Sequence, residues 1–94
     1  MLNPVYSSQF KRDIRKVQLR GYNINLLKDI MTLLLQEAPL SPSNLDHSLK
    51  GKWKNFRELH IQADWLLIYK IFDNDCIFVR TGTHADLFSR YLIP

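Results

Sequence analysis

The sequence predicts an α+β domain in which an N-terminal helical hairpin packs on one small antiparallel sheet. Three observations predict it. The first half places apolar residues at helical spacing, interrupted at Gly21 and ended by Pro39 and Pro42. The second half holds three strand-like runs whose connections are too short for a crossover, so they form an antiparallel meander. The run from Trp65 to Phe72 is apolar almost throughout, as a central strand covered on both faces must be.

Each element has its own signal. Residues 2–6 read as a short edge strand in which Pro4 limits pairing. Ser7 or Ser8 offers an N-cap for a helix from Gln9 to Arg20. Phe10, Ile14 and Val17 line one side of it, and Lys11, Arg12, Arg15, Lys16 and Arg20 fill the others. Gly21 stops that helix. Asn23 caps a second one reaching about Gln36, apolar at Leu26, Leu27, Ile30, Met31, Leu34 and Leu35. So short a link makes the pair a hairpin. Pro39 to Gly51 reads as a loop. Strands follow at about 53–61, 64–72 and 75–80, with Asp73-Asn74-Asp75 as the turn before the last.

Ninety-four residues make one domain, residues 1–94. A chain this small has material for one core but not for an enclosed active site, so its chemistry belongs in an open cleft. Thirteen Lys and Arg against nine Asp and Glu give +4 and a pI near 9.4. That balance suits a nucleic acid or an acidic protein partner, and equally an ordinary basic surface. Cys76 is the sole cysteine, which excludes an intramolecular disulfide and fits a reducing cytoplasm. Its neighbours Ile77 and Phe78 mark it as a buried thiol rather than a nucleophile. The apolar run Met31 to Leu35 is broken by Thr32 and too short for a bilayer, and no signal peptide is expected.

The meander brings polar groups together. The end of its first strand, the start of its second and the end of its third lie at one edge. Those positions carry Glu58 and His60, then Asp64, then Arg80, with His84 four residues on, past Gly82. Glu58 and His60 share a face by alternation, and Arg80 is expected on the face of Phe78 and Cys76. His47 lies in the loop before Gly51, within reach of the same edge. Lys50, Lys52 and Lys54 alternate before the first strand, placed to line a phosphate-binding groove.

Such a set suits RNA cleavage by transesterification. A base takes the ribose 2′-OH proton, an acid protonates the leaving 5′ oxygen, and cations stabilise the charge on phosphorus. Histidine suits both proton roles, because its unperturbed pKa is about 6.5. Arginine suits phosphate through its planar fork. Structural readings compete at every position. The histidines can be surface residues, Glu58–Arg80 a cross-strand ion pair, Asp64 a turn former, the lysines a solvated edge and Phe88 a core residue. His47, His60, His84 and Asp64 also offer zinc ligands. Their spacing matches no helical HExxH and the chain has no CxxC, so no metal or cofactor is expected.

Three ordered blocks carry a resemblance. Asp46-His47-Ser48-Leu49-Lys50-Gly51-Lys52-Trp53 is one. Arg57-Glu58-Leu59-His60-Ile61 with Asp64-Trp65-Leu66-Leu67-Ile68-Tyr69 is the second, and Arg80-Thr81-Gly82-Thr83-His84-Ala85-Asp86-Leu87-Phe88 the third. Together they resemble the YafQ-like branch of the RelE toxin superfamily, over about residues 5–88. The resemblance implies a RelE-like fold, with a helical hairpin on a twisted antiparallel sheet. It implies the toxin of a type II toxin–antitoxin system, cutting mRNA in the ribosomal A site without a metal. His47, His60 and His84 match the family's histidines, and Glu58 its acidic position, where some relatives carry Asp. Asp64 matches the aspartate opening the next strand, Arg80 the phosphate-binding arginine and Phe88 the aromatic near the substrate base. The reading assigns His60 or Glu58 as base, His84 as acid and Arg80 to the scissile phosphate. The implied partners are the ribosome, mRNA and a cognate antitoxin in a hetero-oligomer, with the basic first helix as a surface for antitoxin or ribosomal RNA. The six residues from Ser89 to Pro94 continue past the family pattern, either to cover the site or to pack elsewhere, and the exposure of Phe88 depends on which.

Two other functions compete: a non-catalytic inhibitory toxin like the ParE-type relatives, and a basic nucleic-acid-binding module. A pure binder has no need of titratable groups gathered at one sheet edge.

Overall fold

A computed structural model describes residues 1–88. Its elements are β1 (Asn3–Tyr6), α1 (Ser8–Leu19), α2 (Ile24–Leu35), β2 (His47–Ser48), β3 (Arg57–Gln62), β4 (Trp65–Phe72), β5 (Asp75–Gly82) and α3 (His84–Phe88). Both long helices start where the sequence places their caps. The Ser7 hydroxyl accepts from the Phe10 amide at 2.9 Å, and the Asn23 side chain accepts from the Asn25 amide at 3.0 Å. Gly21 turns the chain out of α1 at a φ of 85°. The second helix stops earlier than its prolines require. Glu37 takes a left-handed conformation (φ 55°), and the Ala38 amide closes back on the Leu33 carbonyl at 3.0 Å.

The sheet order is β1-β5-β4-β3-β2, so β4 is the central strand, as its composition predicts. Strands β3, β4 and β5 form the expected antiparallel meander. The edge strand departs from expectation: β1 runs parallel to β5, which makes the sheet mixed. Three contacts hold it there. Tyr6 stacks on Phe78 at 5.7 Å, the Ser7 amide donates to the Phe78 carbonyl at 3.1 Å, and the Ser7 hydroxyl donates to the Val79 carbonyl at 2.7 Å. The segment read as a loop holds the two-residue strand β2. The strand expected from residue 53 begins only at Arg57, because a 3₁₀ turn at Gly51–Trp53 and a left-handed Asn55 (φ 77°) bend the chain first.

The pleat divides β4 between two clusters. Trp65, Leu67 and Tyr69 meet Phe10 and Val17 of α1 and Leu27 and Leu34 of α2 in the main core. Leu66 and Ile68 face the other way and pack with Leu87, under partial cover from Trp53, Phe56 and Phe88. Cys76 is fully buried in the main core, and burial pushes its thiol up to about 11, consistent with an inert side chain. Among the described residues no helix is long and apolar enough to cross a membrane. The tail from Ser89 onward lies outside the described residues.

Phe10 is fully buried and stacked on Phe78 at 5.7 Å, so it joins helix to sheet. Phe10→Ala should lower the unfolding free energy by about 3–5 kcal/mol. Chemical denaturation measures this, and a loss below about 1 kcal/mol would place the main core elsewhere.

Candidate active site

Alternation along β3 sends Leu59 into the main core and turns Glu58 and His60 to the opposite face. Their cross-strand partners, Ile68 and Leu66, both belong to the second cluster. Strand β2 is just long enough to set His47 opposite Glu58. Glu58 is 5% exposed, and its Oε1 lies 3.6 Å from His47 Nε2 and 3.9 Å from His60 Nε2. His84 opens α3, with its ring centroid 5.7 Å from that of His60. One nitrogen or oxygen from each of Glu58, His60 and His84 falls within 4.8 Å of the others. Two imidazoles and a carboxylate at this separation have the donor types that hold zinc or copper.

The three imidazoles share one orientation device. His47 Nδ1 meets the Leu45 carbonyl at 2.7 Å, His60 Nδ1 the Ala63 carbonyl at 3.3 Å, and His84 Nδ1 the Asp64 carboxylate at 2.7 Å. Carbonyls and ionised carboxylates only accept. Nδ1 therefore carries the proton in each neutral ring, and Nε2 keeps the lone pair. The His84 amide also donates to Asp64, at 3.0 Å. Amide and ring together hold this carboxyl below its usual range. Asp64 is thus a partner of His84 as well as the residue before β4.

The residues flanking His47 are clamped. Arg57 donates to Asp46 at 2.9 Å and to the Ser48 hydroxyl at 2.8 Å, and the Tyr69 hydroxyl donates to Asp46 at 2.5 Å. Burial and this bond to Asp46 hold the Tyr69 phenol above its ordinary range.

Arg80 lies on a different face from the one alternation predicts. Ile68 pairs with Arg80 but Tyr69 pairs with Phe78, so Val79 is an extra residue in β5. The bulge reverses the phase of the strand. Phe78 stays opposite Tyr69 in the main core, while Arg80 joins the cross-strand row His47–Glu58–Ile68–Arg80. Its guanidinium does not pair with Glu58. Nε donates to Asp13 Oδ2 at 2.8 Å and Nη2 to Asp13 Oδ1 at 3.2 Å. The cross-strand ion pair considered from the sequence is therefore replaced by a helix-to-strand one. A second irregularity, between His60 and Gln62, sits beside the other end of the site.

Helix α3 is fixed by Asp86. The Thr83 amide donates to Asp86 at 2.9 Å, and the Asp86 amide donates to the Thr83 hydroxyl at 3.1 Å, closing a capping box. Arg20 reaches across from the end of α1 to grip the same carboxylate at 2.6 and 3.0 Å, joined by Lys16 at 3.3 Å. Gly82 (φ 155°) permits this approach, since a Cβ there would lie 2.8 Å from Asp86 Oδ2. Lys16 and Arg20, placed by the sequence on the basic faces of the first helix, are thus engaged with Asp86. Lys50, Lys52 and Lys54 are exposed, but they belong to the 3₁₀ turn and its flanks, where strand alternation does not apply. Phe88 is half-buried edge-on against Trp53 at 5.9 Å and 6.5 Å from the His84 ring.

Sequence reasoning missed Asp13, Asp46 and Asp86. One signal was present: Asp13 falls between Phe10 and Val17 on the buried stripe of α1, where an acid requires a partner.

Arg20 above all holds the Asp86 carboxyl well below the usual carboxylate range. A carboxyl with a depressed native pKa contributes stability above its unfolded value of about 3.9 and loses it as pH falls through the native value. Asp86→Asn should therefore lower Tm by a constant amount between about pH 5 and 8, and the gap to the parent should close below about pH 4. A gap independent of pH down to about 2 would show that the bond, not the charge, matters.

The family described as "Bacterial toxin of type II toxin-antitoxin system, YafQ" matches residues 2–89. An Escherichia coli (strain K12) protein, mRNA interferase toxin YafQ, is 46% identical over 84 residues, 88% of this chain and 91% of that one. The crystal structure of YafQ from E. coli strain BL21(DE3) superposes with a TM-score of 0.90 at 42% identity, covering 95% of this chain and 100% of that one. A chain of the E. coli DinJ–YafQ complex gives 0.88 at 43% identity, again covering 95% and 100%. With this match along nearly its whole length, and with the helices and mixed sheet of those structures, the chain belongs to the YafQ family of bacterial type II toxin–antitoxin toxins.

Proposed function

We propose that this single domain is a ribosome-dependent endoribonuclease that cuts mRNA in the ribosomal A site by metal-independent transesterification. The observation that carries the reading is the convergence of Glu58, His60 and His84 within 4.8 Å, each imidazole bound through Nδ1. His60 Nε2 takes the ribose 2′-OH proton, and the freed oxygen attacks the adjacent phosphorus. Glu58 stabilises the imidazolium that forms, since a charge partner favours the protonated ring. His84, its charged form supported by Asp64, protonates the departing 5′ oxygen. Arg80 offers Nη1, which Asp13 does not engage, to the phosphate oxygens, and His47 flanks Glu58 on its other side. The products are a 2′,3′-cyclic phosphate and a 5′-hydroxyl. Phe88 stacks against the base beside the cut, and Lys50, Lys52 and Lys54 with exposed Lys11, Arg12 and Arg15 meet the nucleic acid or an acidic antitoxin.

An open site with His84 half exposed suits a substrate positioned by a larger body, which supports the ribosome as that body. The complex named for the E. coli relative supports a separate antitoxin in a hetero-oligomer here. The cytoplasm, where translation and mRNA meet, is the proposed compartment.

Mapping mRNA ends in a purified translation reaction tests the reading, with the toxin first stripped by a chelator of both zinc and copper and then freed of it. In-frame cuts should appear only when ribosomes are present and should survive chelation. His60→Ala and His84→Ala should each reduce cutting by about 10²-fold or more while remaining folded. Arrested translation without cuts would instead identify a non-catalytic toxin, and loss of cutting on chelation would identify a metal enzyme.

A further inference from the structure

We infer that Asp13, on α1 and outside the constellation that meets the RNA, is the positioning residue that presents Arg80 to the scissile phosphate. The inference rests on the reading of Arg80 given above.

Asp13 is 3% exposed, between Phe10 and Val17 on the buried stripe of α1. A carboxylate there is costly unless several donors satisfy it. Four do: Arg80 Nε at 2.8 Å, Arg80 Nη2 at 3.2 Å, the Thr81 amide at 3.1 Å and Gln9 Nε2 at 3.1 Å. Two consecutive residues of β5 therefore converge on one side chain 67 and 68 positions earlier in the chain. The second of them is itself immobilised. The Thr81 hydroxyl accepts from Trp65 Nε1 at 2.9 Å and donates to the Leu66 carbonyl at 2.7 Å.

The direction of the grip matters. Asp13 takes the guanidinium along its Nε–Nη2 edge, so the plane of the fork is set and the Nη1 end remains for a phosphate oxygen. The bulge at Val79 chooses the face, and Asp13 fixes the torsions beyond it. A free arginine would have to lose side-chain entropy at each turnover, whereas this one is ordered before substrate arrives. Lys16 of the same helix and Arg20 at its C-cap hold the Asp86 of α3, so α1 and its cap support the site at two points.

The test is a double-mutant cycle on single-turnover cleavage of ribosome-bound mRNA, comparing parent, Asp13→Asn, Arg80→Ala and the double variant. Arg80→Ala should slow cleavage about 10²-fold. Asp13→Asn should lower the maximal rate by roughly tenfold or more, with half-saturation by ribosome complexes unchanged. In the Arg80→Ala background, Asp13→Asn should have no further effect on the rate, whatever it does to Tm. Should Asp13→Asn not fold, Asp13→Glu, which keeps the charge but moves the carboxylate, takes its place in the cycle with the same expectation.

An equal loss with and without Arg80 would overturn the inference and leave Asp13 a purely structural residue. Full activity of Asp13→Asn beside an impaired Arg80→Ala would overturn it and spare the nuclease reading. Full activity of Arg80→Ala with His84→Ala inactive would overturn both the inference and the placing of Arg80 on the phosphate. Absence of cleavage by the parent would overturn the nuclease reading itself.

Discussion

The fold depends on a strand that must be hidden from both sides. Trp65 to Tyr69 of β4 are all buried, and a pleated strand can achieve that only between two layers. The hairpin of α1 and α2 supplies one layer in full. The chain between α2 and β3, with the short α3, supplies the other in part. That second layer is thin, and at its margin the sheet carries Glu58 and His60 rather than more apolar residues. Among the described residues, the site is thus the place where cover for the second face of β4 runs out, at the end of the meander.

Its geometry is held by acceptors rather than by bulk. Each histidine is fixed through Nδ1 by an oxygen that comes from a turn: Leu45, Ala63 and Asp64. Turn backbones offer carbonyls that no ladder uses, and those of Leu45 and Ala63 become rests for His47 and His60, while Asp64 serves His84 with its carboxylate. Leu45 adopts a left-handed conformation (φ 50°), at a cost of order 1 kcal/mol, and its carbonyl receives His47. Charges are treated in the same way. Asp13, Asp46 and Asp86 each take an arginine from a distant element, through Arg80, Arg57 and Arg20 respectively. A partly exposed ion pair stabilises little by itself. These pairs matter as struts, because each locks a segment that bears a candidate catalytic group: Arg80 itself, the His47 strand and the His84 helix.

Much of the architecture is local and was legible as such. Ser7 and Asn23 begin helices because a side-chain oxygen can satisfy an amide that lacks a partner, a relation spanning three residues. The Asp73-Asn74 turn and the doubly apolar Trp65–Tyr69 run likewise depend on neighbours in sequence. The parallel placement of β1 was not legible, since it depends on Tyr6 finding Phe78, 72 residues away. The end of α2 near Gln36 was legible, but its cause was not: Glu37, with no preference for the left-handed region, adopts it before the prolines are reached.

For the candidate site, the sequence by itself determined the cast: Glu58 and His60 on one face by alternation, and His84 four residues beyond Arg80, past Gly82. Tertiary structure decided the partners and the aim. The extra residue at Val79 moves Arg80 from the face of Phe78 to the row of Glu58, and nothing in the local sequence of β5 marks that slip in register. The physical reason is that alternation is a property of one strand, whereas a bulge is a property of two strands pairing. The acid that holds Arg80 lies on a helix 67 residues away, where the fold, and not the chain's own neighbours, brings carboxylate and guanidinium together.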